Sequence, residues 1–154
     1  AVDMAVATGI LLPLQGASIV NYRWMAVGGA LLAAAAVALG ALGAHGLDRQ
    51  LHALGRTANL DQRLAWFETG VRYHLYHGLA LLVLAALAGR IAPGAAQAAG
   101  WAFVAGIGLF SGSLYVMTFA PDAWRKLGMV TPLGGLAFLA GWFCLALAAW
   151  RGDL

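Results

Sequence analysis

The sequence predicts an all-α, polytopic membrane protein with four transmembrane helices and an interfacial amphipathic helix between spans one and two. Three observations predict it. Of 154 residues, 62% are hydrophobic and 10% charged, whereas a soluble domain carries about 25% charged residues. The mean hydropathy is +0.81. Apolar runs near the length of about 20 residues that a membrane-crossing helix needs recur four times, and the stretches between them hold nearly all the charges. The length suits one membrane domain, residues 22–154, preceded by an extension, 1–21. Pro13, Gln15 and Gly16 interrupt that extension, and no basic segment leads it as in a signal peptide. It reads as an arm lying on the membrane or on a partner, with a short fifth helix as the rival.

The first span is expected at 24–44. Asn21 has the chemistry to cap it, and Tyr22, Arg23 and Trp24 suit the membrane interface. Its interior is rich in alanine and glycine, including Gly29, Gly40 and Gly43, which lets neighbouring helices approach closely. In the polar stretch that follows, Leu47, Leu51 and Leu54 form a short amphipathic turn. Asn59 and Gln62 then have capping-box spacing, and Leu60, Leu64, Phe67 and Val71 form one apolar helical stripe. This is the interfacial helix, bending into the second span. Glu68 and Arg72 on its wetter side make an i,i+4 pair, ordinarily a surface ion pair of small effect.

The second span is expected at 73–91. Arg72 and Arg90 bracket it, so His74 and His77 lie at or inside the membrane edge, His77 roughly 7–8 Å beyond Arg72 along the axis. Pro93-Gly94 marks a tight connection. The third span, 98–120, carries Gly108 and Gly112 at GxxxG spacing and Ser111, Ser113 and Tyr115 in its later half. Pro121-Asp122 ends it. Thr131-Pro132 opens the fourth span, 132–150, with Thr131 as cap and proline at the first helical position.

Four spans bring the ends of spans one and three to the side where spans two and four begin. His45, Glu68, Arg72, Tyr73, His74, His77, Ser111, Ser113, Tyr115 and Thr131 therefore converge toward one face as a polar cluster. The loops there carry Arg49, Arg56, Arg63, Arg72, Arg125 and Lys126, against Arg23, Arg90 and Arg151 on the other side. Six cations against three place the 46–72 and 121–131 loops in the cytoplasm, of a bacterial inner membrane.

The formal net charge of +3 is spread over the loops. No basic block marks a nucleic-acid partner or a lipid-recruiting tract. Cys144 is the one cysteine, which excludes an intrachain disulfide and a cysteine-based metal site. In its apolar run it reads as a small packing residue.

Four ordered motifs carry a resemblance. They are Gly40-Ala41-Leu42-Gly43-Ala44-His45-Gly46-Leu47, Thr69-Gly70-Val71-Arg72-Tyr73-His74-Leu75-Tyr76-His77-Gly78-Leu79-Ala80, Phe110-Ser111-Gly112-Ser113-Leu114-Tyr115, and the run from Thr131-Pro132-Leu133-Gly134-Gly135 through Gly141-Trp142. Together they resemble the small four-helix membrane family called domain of unknown function 423, which includes transmembrane protein 256. The likeness covers 24–150. It implies an integral membrane protein and supplies no catalytic residues to carry over. With the composition, it marks Gly40, Gly43, Gly108, Gly112, Gly134, Gly135 and Gly141 as helix-packing positions.

The functional reading is non-catalytic: an accessory or structural subunit packed against membrane lipids and other membrane-protein subunits, with no cofactor. Two alternatives stand beside it. His45, His74 and His77 are of the type that ligates haem or a metal, although no buried carboxylate accompanies them. A small transporter or membrane enzyme is the other, although no intramembrane carboxylate forms a proton relay and no Ser-His-Asp arrangement is evident.

Overall fold

The computed structural model describes residues 22–153. The expected extension at 1–21, and with it the Asn21 cap, lies outside those residues. Among the described residues the regular structure is all helical. Helix α1 (Arg23–His45) is followed by the short α2 (Leu47–Ala53), then α3 (Leu60–Ala86) and α4 (Pro93–Gly106). A π-helical turn (Ile107–Ser111) joins α4 to α5 (Gly112–Phe119), a 3-10 segment (Asp122–Met129) follows, and α6 (Thr131–Trp150) closes the fold.

Three of these stretches, Arg23–His45, Pro93–Phe119 and Asp122–Trp150, are long and apolar enough to cross a membrane. Helix α3 has the length, 27 residues. Arg63, Glu68, Arg72 and two histidines dilute its apolar character, and it is not among the three. The interfacial helix and second span, expected as separate elements joined by a bend, are one uninterrupted helix. Gly70 does not break it, because the ring of Tyr115 packs against that glycine. The helix ends at Ala86, short of the expected residue 91. Residues 87–92 turn the chain, with Gly89 at φ +80°, a conformation that glycine adopts without strain. Pro93 belongs to α4 rather than to the connection, at the helix start where its missing N–H costs nothing.

Two expected caps are absent. Asn59 has φ +56° and makes no side-chain cap bond. Gln62 instead accepts a hydrogen bond from Arg125. Thr131 makes no cap bond to α6; its hydroxyl pairs with Ser113 at 2.8 Å. Neighbouring elements take the side chains of Gln62 and Thr131, and the left-handed backbone of Asn59 departs from the extended conformation usual at an N-cap.

Helix α1 runs along α3, α3 packs against α5 and the π turn, and α4 packs against α6. At one end of the assembly, the start of α3 meets the end of α5. At the other, Ala92 N–H donates to Ala148 O and Asp153 N–H to Arg90 O, both at 2.9 Å. There too, Trp24 donates to Gln97 at 3.1 Å and its indole stacks on Trp101 at 4.5 Å.

Glycines set the closest approaches. Helices α1 and α3 cross at Gly29 and Gly78: a Cβ on Gly29 would lie 2.8 Å from Gly78 O. Gly106 and Gly141 receive the rings of Phe138 and Phe103, and Gly134 lies against the backbone of Phe110. Gly43 and Gly40 touch Phe67 and Val71 more loosely, and Gly135 is peripheral. Gly108 and Gly112 do not pack on another helix as expected. A Cβ on Gly108 would meet nothing within 4 Å, and one on Gly112 only its own chain's Ile107 O at 3.9 Å. The π turn is the reason. Its wider winding rotates this stretch, so residues four apart no longer share a face toward the neighbour.

Gly134→Ala should therefore lower stability by about 1–3 kcal/mol, since the new methyl meets backbone that cannot yield. Gly108→Ala should raise it by about 0.5–1 kcal/mol. Thermal unfolding in one detergent checks both; equal effects at the two positions would contradict the contact of α6 with the π turn.

Candidate functional site

The expected polar cluster separates into distinct groups. His45 is exposed at the end of α1. Glu68 and Arg72 pair with each other on the outer surface of α3, each more than half exposed. Neither group joins the buried histidines, because α3 turns these residues away from its packed face.

That packed face is the unexpected part. Arg63, Phe67, Gly70, His74 and His77 are all buried. Their spacings of four, three, four and three place them on one side of the helix. Of the expected stripe Leu60, Leu64, Phe67 and Val71, Phe67 belongs to this packed face and the other three lie beside it, packed with Leu47 and Leu51 of α2. The sequence counts Arg63 among the loop cations. Arg63 is 2% exposed, and its phase with Phe67 and the histidines was the available signal.

Arg63 reaches the end of α5. Its Nη1 donates to the carbonyl oxygens of Met117 (3.0 Å), Thr118 (2.7 Å) and Ala120 (3.0 Å). Its Nε donates to Ala58 O at 3.3 Å. Nη2 pairs with Asp122 Oδ1 at 2.6 Å. Arg56 adds a bond from Nε to Phe119 O at 3.1 Å. The last carbonyls of a helix have no intrahelical donor, and cations are favoured at that negative end of the dipole. Two arginines thus satisfy four consecutive carbonyls. Thr118 reciprocates weakly, donating toward Arg63 O at 3.3 Å and more closely to Leu114 O at 2.8 Å.

His74 and His77 diverge, although three residues apart. His74 Nδ1 lies 3.3 Å from the Tyr115 hydroxyl of α5. His77 faces α6. There the Trp142 indole donates to Nε2 at 3.1 Å, and Nδ1 lies 2.8 Å from Tyr73 O. An indole N–H only donates. Nε2 is therefore the acceptor, and Nδ1 carries the proton it gives to Tyr73. The ring is neutral and both nitrogens are engaged. It also stacks on Phe138, centroids 3.5 Å apart and planes 8° off parallel.

His74 Nε2 and Ser111 Oγ are buried without a hydrogen-bond partner among the described residues. Among those residues, no three His, Cys, Asp or Glu side chains come together as a metal site. With His45 remote and the lone pair of His77 taken, the three histidines do not form a shared ligand set. The arrangement can hold helices in register.

Known proteins place this chain in company. A family model described as "Protein of unknown function (DUF423)" matches residues 39–135. UPF0382 membrane protein YwdK of Bacillus subtilis (strain 168) is 44% identical over 122 residues, 79% of this chain and 91% of the relative. A UPF0382 membrane protein of Haemophilus influenzae is 38% identical over 115 residues, 75% of this chain and 84% of the relative. No solved structure matches.

If the Trp142–His77 bond holds α3 to α6, a double-mutant cycle on His77→Phe and Trp142→Phe should give a coupling of about 0.6–2 kcal/mol in detergent unfolding. Additive effects of the two substitutions would rule the bond out as a contributor.

Proposed function

The chain belongs to the DUF423 family, whose relatives are bacterial membrane proteins, and from that premise we propose that it is a four-span inner-membrane protein acting non-catalytically as an accessory subunit of a larger membrane assembly. Helix α3 is the second span, which completes the four. It crosses beside α5 and α6, against which His74 and His77 are shielded. The cytoplasmic side holds the α1–α3 connection and the 3-10 segment. Arg63 is committed to helix carbonyls and still lies on that side, so the cation balance that orients the protein is kept.

The observation that carries the accessory role is α1. It is buried only at Met25, Gly29 and Ala36. It packs along α3 and meets α4 through Trp24 and Met25. Its outer surface presents Ala30, Ala34, Ala38 and Ala41, all exposed, with the larger Val27, Leu31 and Val37 exposed on the same side. Lipid chains are as apolar as leucine, so a small-residue surface gains most from another helix that approaches closely. Nothing comparable supports catalysis. The cofactor reading loses His77, both of whose nitrogens are engaged, and His45, which is remote.

Two measurements test this. In a cysteine-free background, Thr57→Cys and Gly94→Cys should react with impermeant label from opposite sides; labelling from the same side contradicts the four spans. A photoreactive residue at position 34 should crosslink one defined membrane protein in native membranes. Lipid adducts alone would contradict the accessory role.

A further inference from the structure

Two adjoining grooves lie on the outer surface between α3 and α6. One, of about 530 Å³, is walled by Tyr73, Phe110, Leu136, Leu139 and Trp142, among others. The other, of about 430 Å³, runs past Trp66, Met117 and Thr131 to Arg125. Both are bounded by Phe110 and Pro132, so they form one trough. On α3, Trp66, Tyr73 and His77 mark its length at spacings of seven and four, along one face.

From Trp66 to His77 is eleven residues, roughly 16 Å along the axis. That is about half of the 30 Å hydrocarbon core. The trough therefore spans one leaflet, from the interface to near the midplane. Its deep end is aromatic and aliphatic. Leu136 and Leu139 on its wall are more than half exposed. Its interfacial end is cationic. The Arg125 guanidinium sits 5.5 Å over the Trp66 ring and donates to the neutral Gln62 at 2.8 Å. Lys126 follows it in the chain, exposed and outside the lining of the groove. Among the described residues, no carboxylate pairs with either cation.

We propose that this trough is a binding site for one anionic phospholipid, with an acyl chain lying along α3 and α6, its phosphate held at Arg125 and the exposed Lys126 adding to the positive potential beside it. The charge selects the headgroup, since an uncompensated basic pair at the interface attracts anionic lipid. The one-leaflet length selects a chain rather than a spanning helix. The inference rests on α3 crossing the membrane beside α6, which the Thr57 and Gly94 labelling reports independently of lipid.

The test is a competition on the full chain in nanodiscs of phosphatidylcholine with a minor fraction of phosphatidylglycerol, read by native mass spectrometry of the released protein. The wild type should retain one phosphatidylglycerol per chain, enriched over phosphatidylcholine on the order of tenfold, as one or two basic groups provide. Arg125→Gln with Lys126→Gln should remove the enrichment, and Leu136→Trp, which fills the trough, should remove the retained lipid. Unselective retention by the wild type overturns the proposal, and so does a lipid-free dimer, which would make the trough a self-association face. If the variants fail to fold, the wild-type competition alone decides.

Discussion

The guanidinium of Arg63 closes the end of α5, where backbone carbonyls without intrahelical donors lie in a crowded, apolar setting. Helix α5 ends at Phe119, and Ala120 leaves it in an extended conformation. The carbonyls of the last turn then have no N–H four residues on. Near a membrane, water cannot be relied on to take their place, and an unsatisfied group there costs several kcal/mol. Arginine suits the task because its planar, permanently charged fork can serve several acceptors at once. The Asp122 partner is 55% exposed, so solvent screens that ion pair and the carbonyls are the main acceptors.

This clasp sets the register of everything deeper. With Arg63 opposite Thr118, Gly70 lies opposite Tyr115, and His74 reaches the same tyrosine one turn further on. His77 then stands level with Phe103, Phe138 and Trp142. Gly106 and Gly141 give those rings room. The π turn at 107–111 lies where α3 and α6 both press on the α4–α5 rod, and there its wider winding turns Phe110 toward Tyr73 and Gly134. The buried histidine serves the same end as the buried arginine. Each uses a polar group to fix one helix against another, where apolar contact alone distinguishes registers poorly because lipid is equally apolar.

Much of this architecture was legible in the residues. The bounds of α1 and α6 and the end of the α4–α5 rod follow from apolar length and from Pro121 and Pro132, because those signals are local; the rod's start at Pro93 does not, because Pro93-Gly94 reads equally as a turn. The Glu68–Arg72 pair follows from i,i+4 spacing for the same reason. Arg63 reads as a loop cation because a lone arginine ahead of a span is usually solvated, and its partners on α5 lie more than fifty residues away in sequence. Gly108 and Gly112 misled because GxxxG presumes α-helical winding, which the π turn removes. The convergence of His45 with His74 and His77 was inferred from membrane side alone. Sharing a side does not make residues share a helix face.

The central claim is that the Arg63 clasp acts through the α5 carbonyls and not through the exposed Asp122. The direct measurement compares unfolding of Arg63→Lys and Asp122→Asn with the parent protein in one detergent. Lysine keeps the charge and loses the fork, so a large loss of stability is predicted for Arg63→Lys and a small one for Asp122→Asn. A tolerated lysine together with a strongly destabilising asparagine would contradict the account.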